Sequence, residues 1–327
     1  MAVAVSISAA AQAETDPETV TIRTEPIPEI NVVGERPLTR RAISKNIYQL
    51  AQSETNDEPI PRFLDPLCLS VAGLGDTLNE RVADRIRRNA QDATLEIAPE
   101  SCRANALVLV VDDPDKLIER IRDLHPLLFS PRVNNEIRGA LSREDPVIGW
   151  NSTVVRSASG RATGAAGGGL AGAAGAALFQ NAGADIPSNT GCLPSRIVRC
   201  YSFARSSSYV VFDVRELEDV HINQLADYAT MYLIGSPRRL LDYDKLEAAS
   251  IMTLFEDGPR EAPIGLTQLD RAYLKGLYSL RPNANSQRLV GSTRAAYLQI
   301  AEADMGRGGE KADTPSEIPA EPRAEES

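Results

Sequence analysis

The sequence predicts an α+β domain built on a mixed, twisted sheet, with a strand–helix–strand start, a hairpin and a helical C-terminal part. Three observations predict it. Short aliphatic runs such as "ALVLVV" alternate with amphipathic segments of helical period in the first half of the folded region. Two β-rich runs, "SRIVRCYSFA" and "YVVFDV", flank the Ser-rich "RSSS", which reads as a hairpin. Helical patterns alone follow "HINQLADYATMYLIG". The chain has 327 residues, enough for one large domain with a substantial core.

Each element has a local reason. Residues 1–13, "MAVAVSISAAAQA", are small and apolar and end in the small-x-small signature Ala11-Gln12-Ala13. They are expected to be the remnant of a secretory signal peptide, although no Lys or Arg precedes Arg23. Residues 14–60, rich in Pro, Glu, Thr and Arg, are expected to form a mostly flexible lead-in. The folded domain is expected over 61–301. It opens with a strand in "LDPLCLSVAGL" (64–74), then a helix over 76–93 with Leu78, Val82, Ile86 and Ala90 at a spacing of four, which Asp76 or Thr77 can cap. "LEIA" and "ANALVLVVDD" give two short strands, the second buried on both faces. "DPDKLIERIRDLHPLLF" starts at an Asp-Pro helix entry and carries Leu117, Ile118, Ile121 and Leu124 on one face, with His125 completing its last turn. "VIGWNSTVVRSASGR" is a further strand. A Gly/Ala-rich insertion over 159–191 matches neither a phosphate loop nor a dinucleotide fingerprint. In the last helices, Thr267 and Asp270 have the spacing of a capping box. The acidic, Pro-rich 302–327 is expected to be disordered.

Composition narrows the function. The formal net charge is −10 and the sequence pI about 4.9, against a nucleic-acid partner, which needs a basic stripe. Only two histidines, His125 and His221, are present, so one chain holds no three-His zinc site. No apolar run reaches the length of about 18–20 residues that spans a bilayer. The four cysteines, Cys68, Cys102, Cys192 and Cys200, suit a disulfide framework in an exported chain. Cys192–Cys200 would clip a local loop and Cys68–Cys102 would then bridge the strand–helix–strand unit; three connectivities remain open, and a four-Cys zinc site lacks its C-x-x-C knuckles. G-x-S-x-G is absent.

The stretch 209–280 carries a resemblance. "YVVFDVRELEDVHINQLADYATMYLIG", "SIMTLF" and "LTQLDRAYLKGLY" resemble the strand and active-site helix, the Met-containing turn and a late helix of metzincin-like zinc peptidases, and look like an exported proteobacterial family of unknown function. The resemblance implies a metzincin-like core, with Met252 in the turn. The chain departs from it where the chemistry lies. Such a peptidase has H-E-x-x-H on its helix. Here either Gln224 and Tyr228, or Asn223 and Asp227, fall on the ligand positions, and Leu225 or Gln224 on that of the base. Amide oxygens are weak zinc ligands.

On helical spacing Ile222, Leu225, Ala226, Ala229 and Leu233 form the core stripe. Gln224, Tyr228 and Met231 form a neighbouring stripe, which either floors a remnant cleft or satisfies buried backbone groups. The candidate binding residues are therefore Asn223, Gln224, Asp227, Tyr228 and Met252. No catalytic residue, metal or cofactor is assigned. The expectation is an exported, periplasmic or secreted, non-catalytic protein that binds a peptide, glycan or envelope protein. The alternatives are a hydrolase with an atypical metal site, drawing carboxylates from 212–227 and 242–257, and a structural envelope protein. His221 beside Glu216, Glu218 and Asp219 is the one local group that could gather a metal.

Overall fold

The structure, a computed structural model, describes residues 22–25, 38–51, 58–162, 199–235, 237 and 246–312, apart from the side chains of Leu127 and of residues 305–312. The leader at 1–13, the Gly/Ala-rich 163–191, Cys192, Asp242, Asp244 and the tail beyond 312 lie outside the described residues.

The fold is mixed α+β: a four-stranded sheet with helices on both faces. Helix α1 (Arg40–Leu50) comes first. It lies in the segment expected to be a flexible lead-in, and so corrects that reading. Ala42, Ile43, Asn46, Ile47 and Leu50 fall on one face and are buried, which gives this stretch a core contribution that its polar composition conceals. Strand β1 (Leu69–Ala72), helix α2 (Asp76–Asp92) and strand β2 (Ala106–Val111) form the strand–helix–strand start, with β1 and β2 parallel and Leu69 opposite Ala106. Neither Asp76 nor Thr77 caps α2. Gly75, at φ 80°, is the residue before it and contributes no side-chain cap, so Asp76 acts only as a first-turn charge on the helix dipole.

Helices α3 (Pro114–Leu124) and α4 (Pro131–Ser142) follow. Each starts with Pro after a capping side chain: Asp113 accepts from the Lys116 N–H, and Ser130 from the Val133 N–H. On α3 Ile118 is fully buried, while Leu124, the last residue of the helix before its C-cap His125, is 64% exposed. Strands β3 (Val147–Ser157) and β4 (Tyr201–Asp213) are antiparallel neighbours. The sheet order is β1-β2-β4-β3, with β4 parallel to β2.

The expected hairpin within 195–214 does not form. "RSSS" lies inside the single strand β4 because β3 pairs with β4 from Tyr201 to Phe212. The register steps from Ser152–Ser207 to Thr153–Arg205, leaving Ser206 as a bulge. Turn-like composition is thus absorbed as one extra residue in a strand.

Alternation along β2 and β4 divides two cores. Ala106, Val108, Val110, Val210 and Phe212 face the larger core, shared with α1, α2 and the C-terminal helices. Val211 faces a smaller one with Ile118, Phe129, Ile137, Ile148 and Trp150. Each fully buried aliphatic side chain contributes about 1.5–3 kcal/mol. The disulfide Cys68–Cys102 joins the leading ends of β1 and β2, which parallel pairing brings side by side. Cys200 is also disulfide-bonded.

The C-terminal half comprises α5 (Ile222–Thr230), which runs on through a π-turn at Met231–Gly235, a short turn at Ile251–Thr253 leading into α6 (Leu254–Asp257), then α7 (Gln268–Ser279) and α8 (Gln287–Ala312). Thr267 and Asp270 form the expected capping box. Helix α8 carries the fold past the boundary expected at 302, and Asp304 accepts hydrogen bonds from Gln268 and Arg271 of α7.

Candidate functional site

Helix α5 begins on a side chain rarely used for the purpose. The Nδ1 of His221 accepts from the Asn223 N–H at 3.1 Å, and the His221 N–H donates to Gln224 Oε1 at 3.0 Å, closing a capping box. His221 Nε2 lies 2.8 Å from the Glu25 carbonyl. The ring thus meets a backbone N–H at Nδ1 and a backbone carbonyl at Nε2. Both nitrogens are therefore occupied within the fold, and His221 gathers no metal with Glu216, Glu218 and Asp219. Among the described residues no group of three His, Cys, Asp or Glu side chains is placed to hold one.

The helix is enclosed on nearly every side. Ile222, Leu225, Ala226, Ala229 and Leu233 are buried as their stripe requires. Gln224 is buried as well, and its amide donates to the carbonyls of Pro259 at 2.9 Å and Pro263 at 3.1 Å. It ties the 259–263 loop to α5, which is the local-bonding role. Tyr228 is buried between Phe212, Tyr232 and Phe255. Met252 is fully buried. These three residues do not line an open cleft.

Asn223 and Asp227 do. They sit one turn apart on α5 and line a cleft of about 440 Å³ with Arg85, Gly265, Thr267 and Arg271. Asp227 is fully buried and binds four donors. Arg85 grips it side-on, Nε to Oδ1 at 2.7 Å and Nη2 to Oδ2 at 2.6 Å. Asn89 donates to Oδ1 at 2.6 Å and the Leu266 N–H to Oδ2 at 2.7 Å. Four charge-assisted bonds offset much of the cost of taking a carboxylate out of water. Gly265 makes the arrangement possible: a Cβ there would lie 2.6 Å from Asp227 Oδ2 and 2.8 Å from Arg85 Nη2.

The chemistry open to this cleft is recognition. Asp227 has both oxygens committed to donors within the fold. Thr267 is committed to its cap. Arg271 donates through Nη2 to Asp304 at 3.1 Å, while its buried Nε has no hydrogen-bond partner among the described residues. The Asn223 side chain stands at the rim, half-buried. Of the carboxylates in 212–227, Asp213 is held by Arg215 and Asp219 by Arg260. Sequence reasoning missed Arg85, Asn89 and Arg271. A signal existed: a carboxylate on a helix buried all round demands a cation, and Arg85 and Asn89 border the apolar stripe of α2 at i, i+4.

No family model matches the chain, and no curated protein or solved structure is detectably similar to it. Among the described residues no helix is long and apolar enough to cross a membrane.

Proposed function

We propose that this chain is an exported, non-catalytic protein that binds a peptide or glycan in the cleft between α2, α5 and the loop 263–267. One observation carries the reading. The cleft is open, its floor is a hydrogen-bonded Arg85–Asp227 pair with no group held ready for chemistry, and its lining includes the polar side chains of Asn223 and Arg271. Rigid polar groups aimed into a concavity suit a ligand rich in carbonyls or hydroxyls. The Cys68–Cys102 disulfide supports an oxidising compartment. A metallopeptidase-like ancestry is part of the proposal, and the loss of H-E-x-x-H is its reason for expecting no hydrolysis.

Glycan- and peptide-array binding by the full chain tests it, with Asn223→Ala and Arg271→Ala compared at equal melting temperature. Arg271→Ala is expected to weaken binding at least tenfold, since a lost charge-assisted bond is worth about 1.5–3 kcal/mol, and Asn223→Ala by about two- to tenfold, since a neutral one is worth about 0.5–1.5 kcal/mol, while the circular dichroism spectrum stays unchanged. Binding that survives both substitutions would overturn the reading.

A further inference from the structure

The cleft at Asp227 is lined against the charge of the chain around it. The whole sequence carries a formal −10, yet the lining holds two guanidiniums, Arg85 and Arg271, and one carboxylate, Asp227. That carboxylate is fully buried and already takes four donors. The guanidiniums are not used up. Arg85 spends Nε and Nη2 on Asp227, and its side chain is still 30% exposed. Arg271 gives Nη2 to Asp304, a residue outside the lining that also accepts from Gln268, and its side chain is 39% exposed. On each arginine Nη1 makes no hydrogen bond among the described residues, and neither Nη1 is a buried atom. Each is a permanent cation, tethered through part of its fork and with one nitrogen to spare. Tethering of this kind lowers the entropy lost when a ligand is gripped.

The loop from Pro259 to Leu266 adds an apolar wall. Pro263, Ile264 and Leu266 line the same cleft, and Ile264 is 50% exposed. The loop is pinned to α5 on both sides of Ile264. Gln224 Nε2 donates to the Pro259 and Pro263 carbonyls, and the Leu266 N–H donates to Asp227 Oδ2. An exposed apolar side chain is thereby held beside two cations, in a concavity of about 440 Å³, within the range of about 300–1,000 Å³ common for small-ligand sites. A neutral sugar gains nothing from the guanidinium charge and offers hydroxyls to the isoleucine. A carboxylate a few bonds from an apolar side chain answers both features. A peptide carries that pair in two ways: the free carboxylate of its last residue beside that residue's own side chain, or an Asp or Glu next to an apolar residue.

Resting on the binding role proposed for this cleft, we infer that its ligand is a peptide bearing a carboxylate next to an apolar side chain. The carboxylate is drawn to the Arg85 and Arg271 guanidiniums, and the apolar group packs on Pro263, Ile264 and Leu266. Both guanidiniums are partly exposed, so the attraction is screened by salt.

The full chain is applied to N-terminally tethered pentapeptides of randomised sequence, each present as the free acid and as the C-terminal amide, with uncharged oligosaccharides alongside. Retained peptides are expected to pair a carboxylate with an apolar neighbour. If the C-terminus supplies the carboxylate, the amide of the same sequence binds at least about tenfold more weakly; if a side chain does, the loss appears on exchanging Asp or Glu for Asn or Gln. For the native chain, affinity for the acidic peptide is expected to fall severalfold between about 50 and about 300 mM NaCl, while that for its neutral analogue holds. Arg271→Gln should cost the acidic peptide at least about tenfold and the neutral analogue less than about twofold, a difference that a general loss of structure would not produce. Equal binding of acidic and neutral analogues, salt-insensitive binding, or preference for an uncharged oligosaccharide overturns the inference and leaves the cleft a binding site. Binding to neither peptide nor oligosaccharide overturns the binding role itself.

Discussion

At Asp227 a charge is buried with its partner only partly so, and that asymmetry predicts the mutational response. The Arg85 side chain is 30% exposed and that of Asp227 not at all. Arg85→Ala strands a carboxylate in the core and is expected to cost about 3–5 kcal/mol. Asp227→Ala leaves a guanidinium that can rehydrate and is expected to cost less. Urea unfolding of both variants and of the double mutant checks this, and the double mutant should fall well short of the sum. Gly265→Ala reaches the same pair from the other side. Its Cβ would displace the ion pair, so it should destabilise the fold and disturb the cleft without touching a charge. Glu256 gives a pH dependence. Partial desolvation pushes its carboxyl, which still reaches the surface, up to about 7, with the charges of Asp257 and Asp145 adding to the effect, against an ordinary value of 4.5. Its folded pKa lies above its unfolded one, so the proton is held more tightly in the native state. The contribution of Glu256 to stability is then at its full value below pH about 4.5 and is lost as the pH rises through about 7. Glu256→Gln should flatten that part of the profile, read as the urea midpoint across the same range.

Among the elements, α7 and α8 approach each other closely. Gly276 of α7 lies against the Thr293 backbone of α8, where a Cβ would stand 2.6 Å from Thr293 N and Cα. Gly276→Ala gains helix propensity of about 1 kcal/mol locally, yet must push α8 away. The expected outcome is a net loss of stability, and in hydrogen exchange a selective loss of protection in α8. The opposite result, a more stable protein, would show that α8 can slide. The cap of α5 is a second case. His221→Ala removes the acceptor for the Asn223 N–H and the contact to Glu25, and should cost about 1 kcal/mol on thermal melting.

For the whole molecule, one covalent link closes the strand–helix–strand start. Cys68 and Cys102 are separated by 34 residues, a loop for which a bridge typically contributes about 2–4 kcal/mol. The Cys68→Ser, Cys102→Ser double variant should lose that amount in denaturant titration and leave the circular dichroism spectrum unchanged, since both strands remain paired in a sheet covered on two faces. Wild-type protein prepared under reducing conditions would lose the Cys200 bridge too, so the double variant is the cleaner measurement.

Local chemistry settled much of this structure. The periodicity at Leu78, Val82, Ile86 and Ala90 gives α2, and the run "ALVLVV" gives a strand buried on one face and half-buried on the other. The Thr267–Asp270 spacing gives a helix start, and the core stripe of α5 was legible residue by residue. In each case the interactions lie within one turn or one face of one element. Tertiary structure decided the rest. It absorbed the Ser-rich "RSSS" into β4, because pairing along the whole of β3 outweighs a local turn preference. It drew α1 into the core, because five well-placed side chains bury despite a polar background. It also separated Asp227, which found Arg85 across 142 residues of sequence, from Gln224, which turned to its own loop. Which side chains meet across the core depends on how helices and strands pack. A single sequence shows the charge that needs a partner, and only the fold shows which one arrives, as Arg85 does at Asp227.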